Sequence, residues 1–319
     1  MDVIRRPKID DLVAGMDPMK LLKDMQQGFI NYSQGRSVIP PVGELILPER
    51  NGEVHIKYGY TKEEAYYCIK IASGFYDNPA LNLDSSQGMM LLFSQETGAP
   101  KAIILDEGYL TNLRTAIAGA LVAKAMSPNN VTGVGIVGTG VQARFQLEEL
   151  VKSGFPVQKV WIWGRNPVKA QALQTHFSRQ FEVNIASSTT ELAQHCNLII
   201  TTTTAKNPLL MAADIQSGTH ISAIGSDTPD KQELASDILG KANLVVADSL
   251  SQCAVRGEIF HATAAGELAP NAAVELGNVL AGDHPGRVDD GQITVADLTG
   301  VAVQDIAIAD AVYQAFLQE

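Results

Sequence analysis

The stretch Val134-Gly135-Ile136-Val137-Gly138-Thr139-Gly140-Val141-Gln142-Ala143 decides the fold. Val134 to Val137 read as a short apolar strand, and from Gln142 the pattern turns helical. Between them the glycines stand at the spacing G-x-G-x-x-G/A. Gly138 allows the tight turn, Gly140 lets a pyrophosphate reach the backbone, and small Ala143 lets helix and strand pack closely. Free N–H groups and the helix dipole favour an anion at such a helix N-terminus. Two glycines in a turn are common. The strand before, the helix after and a second strand at Lys159 to Trp163 make this a dinucleotide loop. The cofactor contacts expected in it are Gly138, Thr139, Gly140, Val141, Gln142 and Ala143.

After the second strand, NAD-preferring proteins usually place an acid against the ribose hydroxyls. Here the residues are Gly164-Arg165-Asn166. A guanidinium at that place pairs with a 2′-phosphate, so NADP(H) is favoured with NAD(H) possible. The plainer reading of Arg165 is an exposed residue beside the adenine.

Downstream, helical segments alternate with apolar runs at Asn197 to Thr202, His220 to Ile224 and Leu244 to Ala247. Alternation of this kind predicts a doubly wound parallel sheet. Thr202 and Thr203 complete the expected cofactor contacts. A strand at Thr294 to Asp297 precedes a last helix, about Ala302 to Phe316.

Upstream the texture differs. Met19, Leu22, Met25, Phe29 and Tyr32 recur at helical spacing over Pro18 to Ser33, and Val38-Ile39-Pro40-Pro41 ends that helix. From Glu44 to Leu105, short runs such as Tyr66 to Ile71 and Met89 to Phe93 are separated by Gly, Asn, Pro and Ser, which predicts a sheet with turns. A helix rich in Ala follows over Tyr109 to Met126. The expected organisation is therefore a Rossmann-type unit over 119–302 and a second α+β unit over 1–118 with 303–319, for substrate binding and dimerisation.

Composition narrows the partners. A chain of 319 residues exceeds what one core usually organises. A net charge of −11 disfavours nucleic acid and anionic membranes. No signal-peptide run or membrane span is legible, so a soluble cytoplasmic protein is expected. Cys68, Cys196 and Cys253 lack the spacing of a zinc site or redox pair and read as small core or surface residues; no metal is expected. No histidine lies in a motif that needs imidazole.

Four further phrases, Lys70-Ile71-Ala72-Ser73-Gly74-Phe75, Leu113-Arg114-Thr115-Ala116, Ile224-Gly225-Ser226-Asp227-Thr228-Pro229 and Asp297-Leu298-Thr299-Gly300-Val301-Ala302-Val303-Gln304-Asp305, together resemble the ornithine cyclodeaminase/mu-crystallin family nearly end to end. The resemblance implies a homodimer and chemistry on an amino acid or its imine. It implies that Lys70 and Arg114 hold a substrate carboxylate near the nicotinamide, and that Asp227 stands near the substrate nitrogen. Without it, Arg114 reads as a solvated helix cation, Lys70 as a strand residue pointing outward and Asp227 as a turn former. The Asp297–Asp305 phrase either meets the nicotinamide side of the cofactor or serves as turn and helix start.

Two departures matter. Cyclodeaminases of the family commonly carry an arginine after a Pro-Pro pair, whereas this chain has Pro40-Pro41-Val42, leaving Arg36 or Lys57 as substitutes. Lys57 also falls where such an enzyme would carry an acid for ornithine's distal ammonium. The expectation is a reductase of a small cyclic imino acid such as 1-pyrroline-2-carboxylate, with Asp227 and Lys70 as catalytic groups and Arg114, Lys70 and Lys57 on the substrate. The alternatives are an ornithine cyclodeaminase, an amino acid or opine dehydrogenase, and a non-catalytic NADPH-binding protein like the crystallin branch.

Overall fold

Helix α2 (Pro18–Ser33) forms where Asp17 accepts a hydrogen bond from the Met19 N–H at 2.9 Å and Pro18 occupies the first turn. Its buried face is Leu21, Leu22, Met25 and Phe29, whereas Met19, expected on that face, is exposed. The computed structural model describes every residue from Met1 to Glu319, in two compact units: Met1–Arg114 with Val301–Glu319, and Thr115–Gly300. The breaks expected after 118 and 302 compare with breaks after Arg114 and Gly300.

The first unit opens with β1 (Asp2–Arg5) and α1 (Arg6–Ala14). After α2 come β2 (Ser37–Val38), β3 (Gly43–Leu47), β4 (Gly52–Thr61), β5 (Tyr66–Phe75), β6 (Ser86–Ser94), β7 (Pro100–Leu105) and the start of α3 (Tyr109–Met126), whose residues from Thr115 on belong to the second unit. The sheet runs β1-β7-β6-β5-β4-β2, with β3 also on β4. All pairs are antiparallel except β1 on β7. The C-terminal helix (Ala302–Leu317) lies against α2, β4, β5 and β6. Close approach is possible at Gly28, where a Cβ would already stand 3.4 Å from the Val303 carbonyl oxygen.

Along β4, alternation separates two faces: His55, Lys57, Gly59 and Thr61 are buried, while Ile56, Tyr58 and Tyr60 are exposed. The β4/β5 register sets Lys57 directly opposite Lys70. Both lysines therefore share the buried face, the reverse of the outward pointing that a lone strand lysine suggests.

The second unit contains β8 (Val134–Val137), α4 (Val141–Lys152), β9 (Lys159–Trp163), α5 (Pro167–Phe177), β10 (Glu182–Ile185), α6 (Thr189–His195), β11 (Leu198–Thr201) and β12 (His220–Ala223). There follow α7 (Ser236–Lys241), β13 (Leu244–Ala247), α8 (Leu250–Cys253), α9 (Gly257–Ala264), β14 (Val274–Glu275), α10 (Leu276–Ala281) and β15 (Thr294–Asp297). The sheet is wholly parallel, in the order β10-β9-β8-β11-β12-β15-β13-β14. Its first five places repeat the 3-2-1-4-5 order of a doubly wound dinucleotide fold, and β15, last in the chain, enters beside β12. Strands β8, β11, β12, β13 and β15 are buried throughout, as a sheet covered on both faces requires.

Candidate active site

The glycine loop has the geometry its spacing predicts. Gly138 takes φ +126°, and a Cβ there would stand 2.4 Å from Thr202 Oγ1, so turn and packing both demand glycine. Gly140 caps α4 in extended conformation without a side-chain hydrogen bond, and a Cβ on it would meet nothing within 4 Å. The first-turn N–H groups of α4 thus face open approach, while Ala143 is fully buried. These residues fit the pyrophosphate of a dinucleotide.

Around the loop, the other expected contacts divide. Gly164 is required because a Cβ would lie 2.6 Å from Thr139 Cγ2. Arg165 is exposed. Asn166 caps α5, accepting from the N–H groups of Val168 at 2.9 Å and Lys169 at 3.2 Å. The Thr202 hydroxyl donates to the Val137 carbonyl at 3.2 Å, locking the turn, and the Thr203 N–H donates to Glu233 at 2.6 Å.

Glu233 was not singled out in the sequence. Buried in the second unit, it accepts from Thr201 Oγ1 at 2.7 Å, Thr203 N–H at 2.6 Å and Gly225 N–H at 2.9 Å, tying the ends of β11 and β12 together. Burial pushes its carboxyl up to about 7 despite these donors. Beyond Gly225, Asp227 is partly exposed and pairs with buried Lys231 at 2.8 Å. Arg256 donates to the Asp227 carbonyl at 3.3 Å. Lys231, four residues past Asp227, is a second residue the sequence reading missed.

In the first unit a charge cluster forms. Asp305 Oδ2 lies 3.3 Å from Lys70 Nζ and its Oδ1 lies 3.0 Å from Arg114 Nε. These are ion pairs by distance rather than aligned hydrogen bonds, since neither Asp305 oxygen nor Arg114 Nε has a well-directed hydrogen-bond partner. Gln304 Oε1 accepts from Arg114 Nη1 at 2.5 Å. Lys57, Lys70, Arg114 and Asp305 are all at most 4% exposed, so the solvated-cation reading of Arg114 fails. Burial pushes the Lys70 ammonium below its usual range, with Asp305 acting in the opposite sense. Asp106 accepts from the Leu110 N–H at 2.8 Å and so starts the helix that carries Arg114; burial raises its carboxyl. Arg36 is exposed and bonded to Gln34, outside this cluster.

Asp305 had a readable signal. It is an acid in Val301-Ala302-Val303-Gln304-Asp305-Ile306-Ala307-Ile308, a helix start that is apolar apart from Gln304 and so is expected to be buried. Thr299 and Gly300, in the same phrase, instead serve the turn: Asp248 accepts from the Thr299 hydroxyl at 3.0 Å and the Gly300 N–H at 2.6 Å. All three cysteines are buried and free, and burial raises each thiol, that of Cys196 to about 12. No group of side chains is arranged to hold a metal ion, and no helix is long and apolar enough to cross a membrane.

Known proteins are similar to this chain in sequence and in fold. The ornithine cyclodeaminase/mu-crystallin family matches residues 12–319. An uncharacterized cyclodeaminase of Sinorhizobium fredii is 42% identical over 279 residues, 86% of this chain and 84% of its own length. The alanine dehydrogenase of Archaeoglobus fulgidus is 33% identical over 315 residues, 98% of this chain and 94% of its own. The solved structure of Thermococcus litoralis Delta(1)-pyrroline-2-carboxylate reductase in complex with NADH and L-proline matches with a TM-score of 0.92 at 25% identity, covering 100% of this chain and 98% of that one. With a parallel dinucleotide sheet, a buried cationic cluster on a second sheet and a match across both units, the chain belongs to the ornithine cyclodeaminase/mu-crystallin family.

Proposed function

We propose that this protein is an NAD(P)H-dependent reductase of a small cyclic imino acid of the 1-pyrroline-2-carboxylate type, yielding L-proline or a homologue. The observation that carries the reading is Lys57, buried and in register opposite Lys70, the lysine that shares Asp305 with Arg114. An ammonium there repels the distal ammonium of ornithine and attracts a carboxylate.

The bound dinucleotide supplies the hydride that the imine carbon accepts. Arg114 offers parallel donors to the substrate carboxylate and Lys70 a compact charge. Asp227, paired with Lys231, favours the protonated C=N bond, which makes its carbon more electrophilic. One hydride and one proton then convert the imine to the amine. Gly138 to Ala143 hold the pyrophosphate, with Thr202 and Thr203 at the neighbouring strand end; exposed Arg165 favours NADPH. The apolar exposed face of Ile56, Tyr58 and Tyr60, with Leu45 on β3, supports a homodimer.

A second reading, redox-neutral cyclodeamination of L-ornithine, is favoured by the description of the 42% identical relative. Purified protein incubated with 1-pyrroline-2-carboxylate and NADPH, and in parallel with L-ornithine and NAD, separates the two. NADPH loss confined to the first reaction supports the reductase. Ammonia and proline confined to the second, without net cofactor change, replace it with the cyclodeaminase.

A further inference from the structure

Asp305 is a carboxylate buried on the C-terminal helix among Val303, Ile306, Ile308 and Ala309, and it touches two cations from two other elements. Lys70 comes from β5 and Arg114 from α3. Burying such a group carries a large desolvation cost per ion, and apolar packing of similar volume is often as stable or more so. Stability alone therefore gives little reason for the cluster.

Resting on the reductase reading above, we propose that Asp305 is a positioning residue that gathers the Lys70 ammonium and the Arg114 guanidinium into one two-pronged receptor for the substrate carboxylate. Its two oxygens meet the two cations separately, at 3.3 and 3.0 Å, which fixes the spacing between them. Gln304, the preceding residue, accepts from Arg114 Nη1 and fixes the plane of the guanidinium. Because neither Asp305 oxygen is used in an aligned hydrogen bond, the carboxylate acts through charge and placement.

The charge of Lys70 depends on this arrangement. The groups facing it are Asp305 on the C-terminal helix, Arg114 on α3, Lys57 opposite on β4, Cys68 on its own strand and Asp106 before α3. Burial and Arg114 disfavour the ammonium; Asp305 favours it. Replacing Asp305 with a neutral isostere removes the favourable partner while leaving the cations in place. Lys70 then releases its proton at lower pH, and the alkaline limb of kcat/KM moves to lower pH with it.

The test is Asp305→Asn, with Asp305→Glu as a conservative companion that keeps the charge. Two readouts apply to each: the pH profile of kcat/KM with 1-pyrroline-2-carboxylate, and the titration of Lys70 by NMR of lysine labelled at the ε carbon, assigned with Lys70→Arg. Asp305→Asn is expected to lower the proton affinity of Lys70 by about tenfold or more, one pKa unit, and to shift the alkaline limb equally. Asp305→Glu retains most of the wild-type profile. A uniform loss of rate in Asp305→Asn, with limb and Lys70 titration unmoved, overturns the proposal. If Asp305→Asn does not fold, a limb and titration close to wild type in Asp305→Glu support the proposal, and an alkaline limb in that variant out of step with its Lys70 titration overturns it. If the wild type turns over no imino acid, the reductase reading fails by itself, and the lysine titration still decides whether Asp305 holds the charge of Lys70.

Discussion

In the first unit one buried cluster gathers a pair of cations on one carboxylate, Lys70 and Arg114 on Asp305. In the second, four buried carboxylates, Glu233, Asp248, Glu258 and Asp297, each accept from backbone N–H groups. The difference lies in what compensates burial. A backbone N–H belongs to the fold, so a carboxylate held by it staples chain to chain: Glu233 joins the ends of β11 and β12, Glu258 holds the N–H of Glu233 and Leu234, and Asp297 holds that of Ile259. Burial raises the carboxyls of Glu233, Glu258 and Asp297, and the backbone N–H groups act against that rise. Cations compensated by a single carboxylate keep an outward field, which suits recognition of an anion.

Breaking the first cluster should have the largest effect. Arg114→Ala leaves Asp305 with one cation, and we expect kcat/KM for 1-pyrroline-2-carboxylate to fall on the order of 10³-fold, with about 3–5 kcal/mol of stability lost in urea melts. NADPH affinity, set by the glycine loop, should be unchanged. A wild-type rate would remove Arg114 from the receptor.

Breaking a staple should cost stability more than chemistry. Glu233→Gln puts an amide among donors from Thr201, Thr203 and Gly225, leaving at least one unsatisfied, and should lose about 1–3 kcal/mol in the same melts. The pH dependence sharpens the contrast. Glu233 is raised to about 7, so its contribution to stability is full below the unfolded-state value near 4.5 and is lost as pH rises through about 7. His220 runs the other way. Buried and bonded to Thr294 Oγ1 at 2.8 Å and Ser222 Oγ at 3.0 Å, it is depressed to about 3. Its contribution is present above the unfolded value of about 6.5 and is lost as pH falls toward about 3. Urea melts across this range should show Glu233→Gln flattening the alkaline decline and leaving the acid decline intact. An identical curve would deny Glu233 its place in the staple.

The smallest effect expected is at Arg165, where the charge is exposed and screened. Arg165→Gln should weaken NADPH relative to NADH by about fivefold, the value of roughly 1 kcal/mol typical of an exposed pair. An unchanged ratio, measured by fluorescence titration of both cofactors, would reject its contact with a 2′-phosphate.

Much of the fold was legible because its signals are local. The helix over Pro18–Ser33 has a cap, a proline and a helical period in one short window, and Tyr109–Met126 is a run of good helix formers. The strand β1 was not: only Ile4 of its residues is buried, so no period announces it, and its place comes from parallel pairing with β7. The candidate site divided in the same way. Gly138, Gly140 and Ala143 sit within one turn, so spacing carries their geometry. Asp305 carries no local mark beyond being an acid in largely apolar company, and Lys231 and Glu233 lie in the polar run Asp230-Lys231-Gln232-Glu233, which reads as a solvated turn.

By itself the sequence determined the dinucleotide loop, the alternation of strands and helices behind it and the family of the chain, because turn chemistry and hydrophobic period act between near neighbours. Tertiary structure alone decided that β15 enters beside β12, that Lys57 and Lys70 share one buried face, and that Asp305 reaches both Lys70 and Arg114. Those are meetings of residues far apart in the chain, chosen by strand register and by the packing of the C-terminal helix on the first sheet, and a buried charge reveals its partner only when that packing is in place.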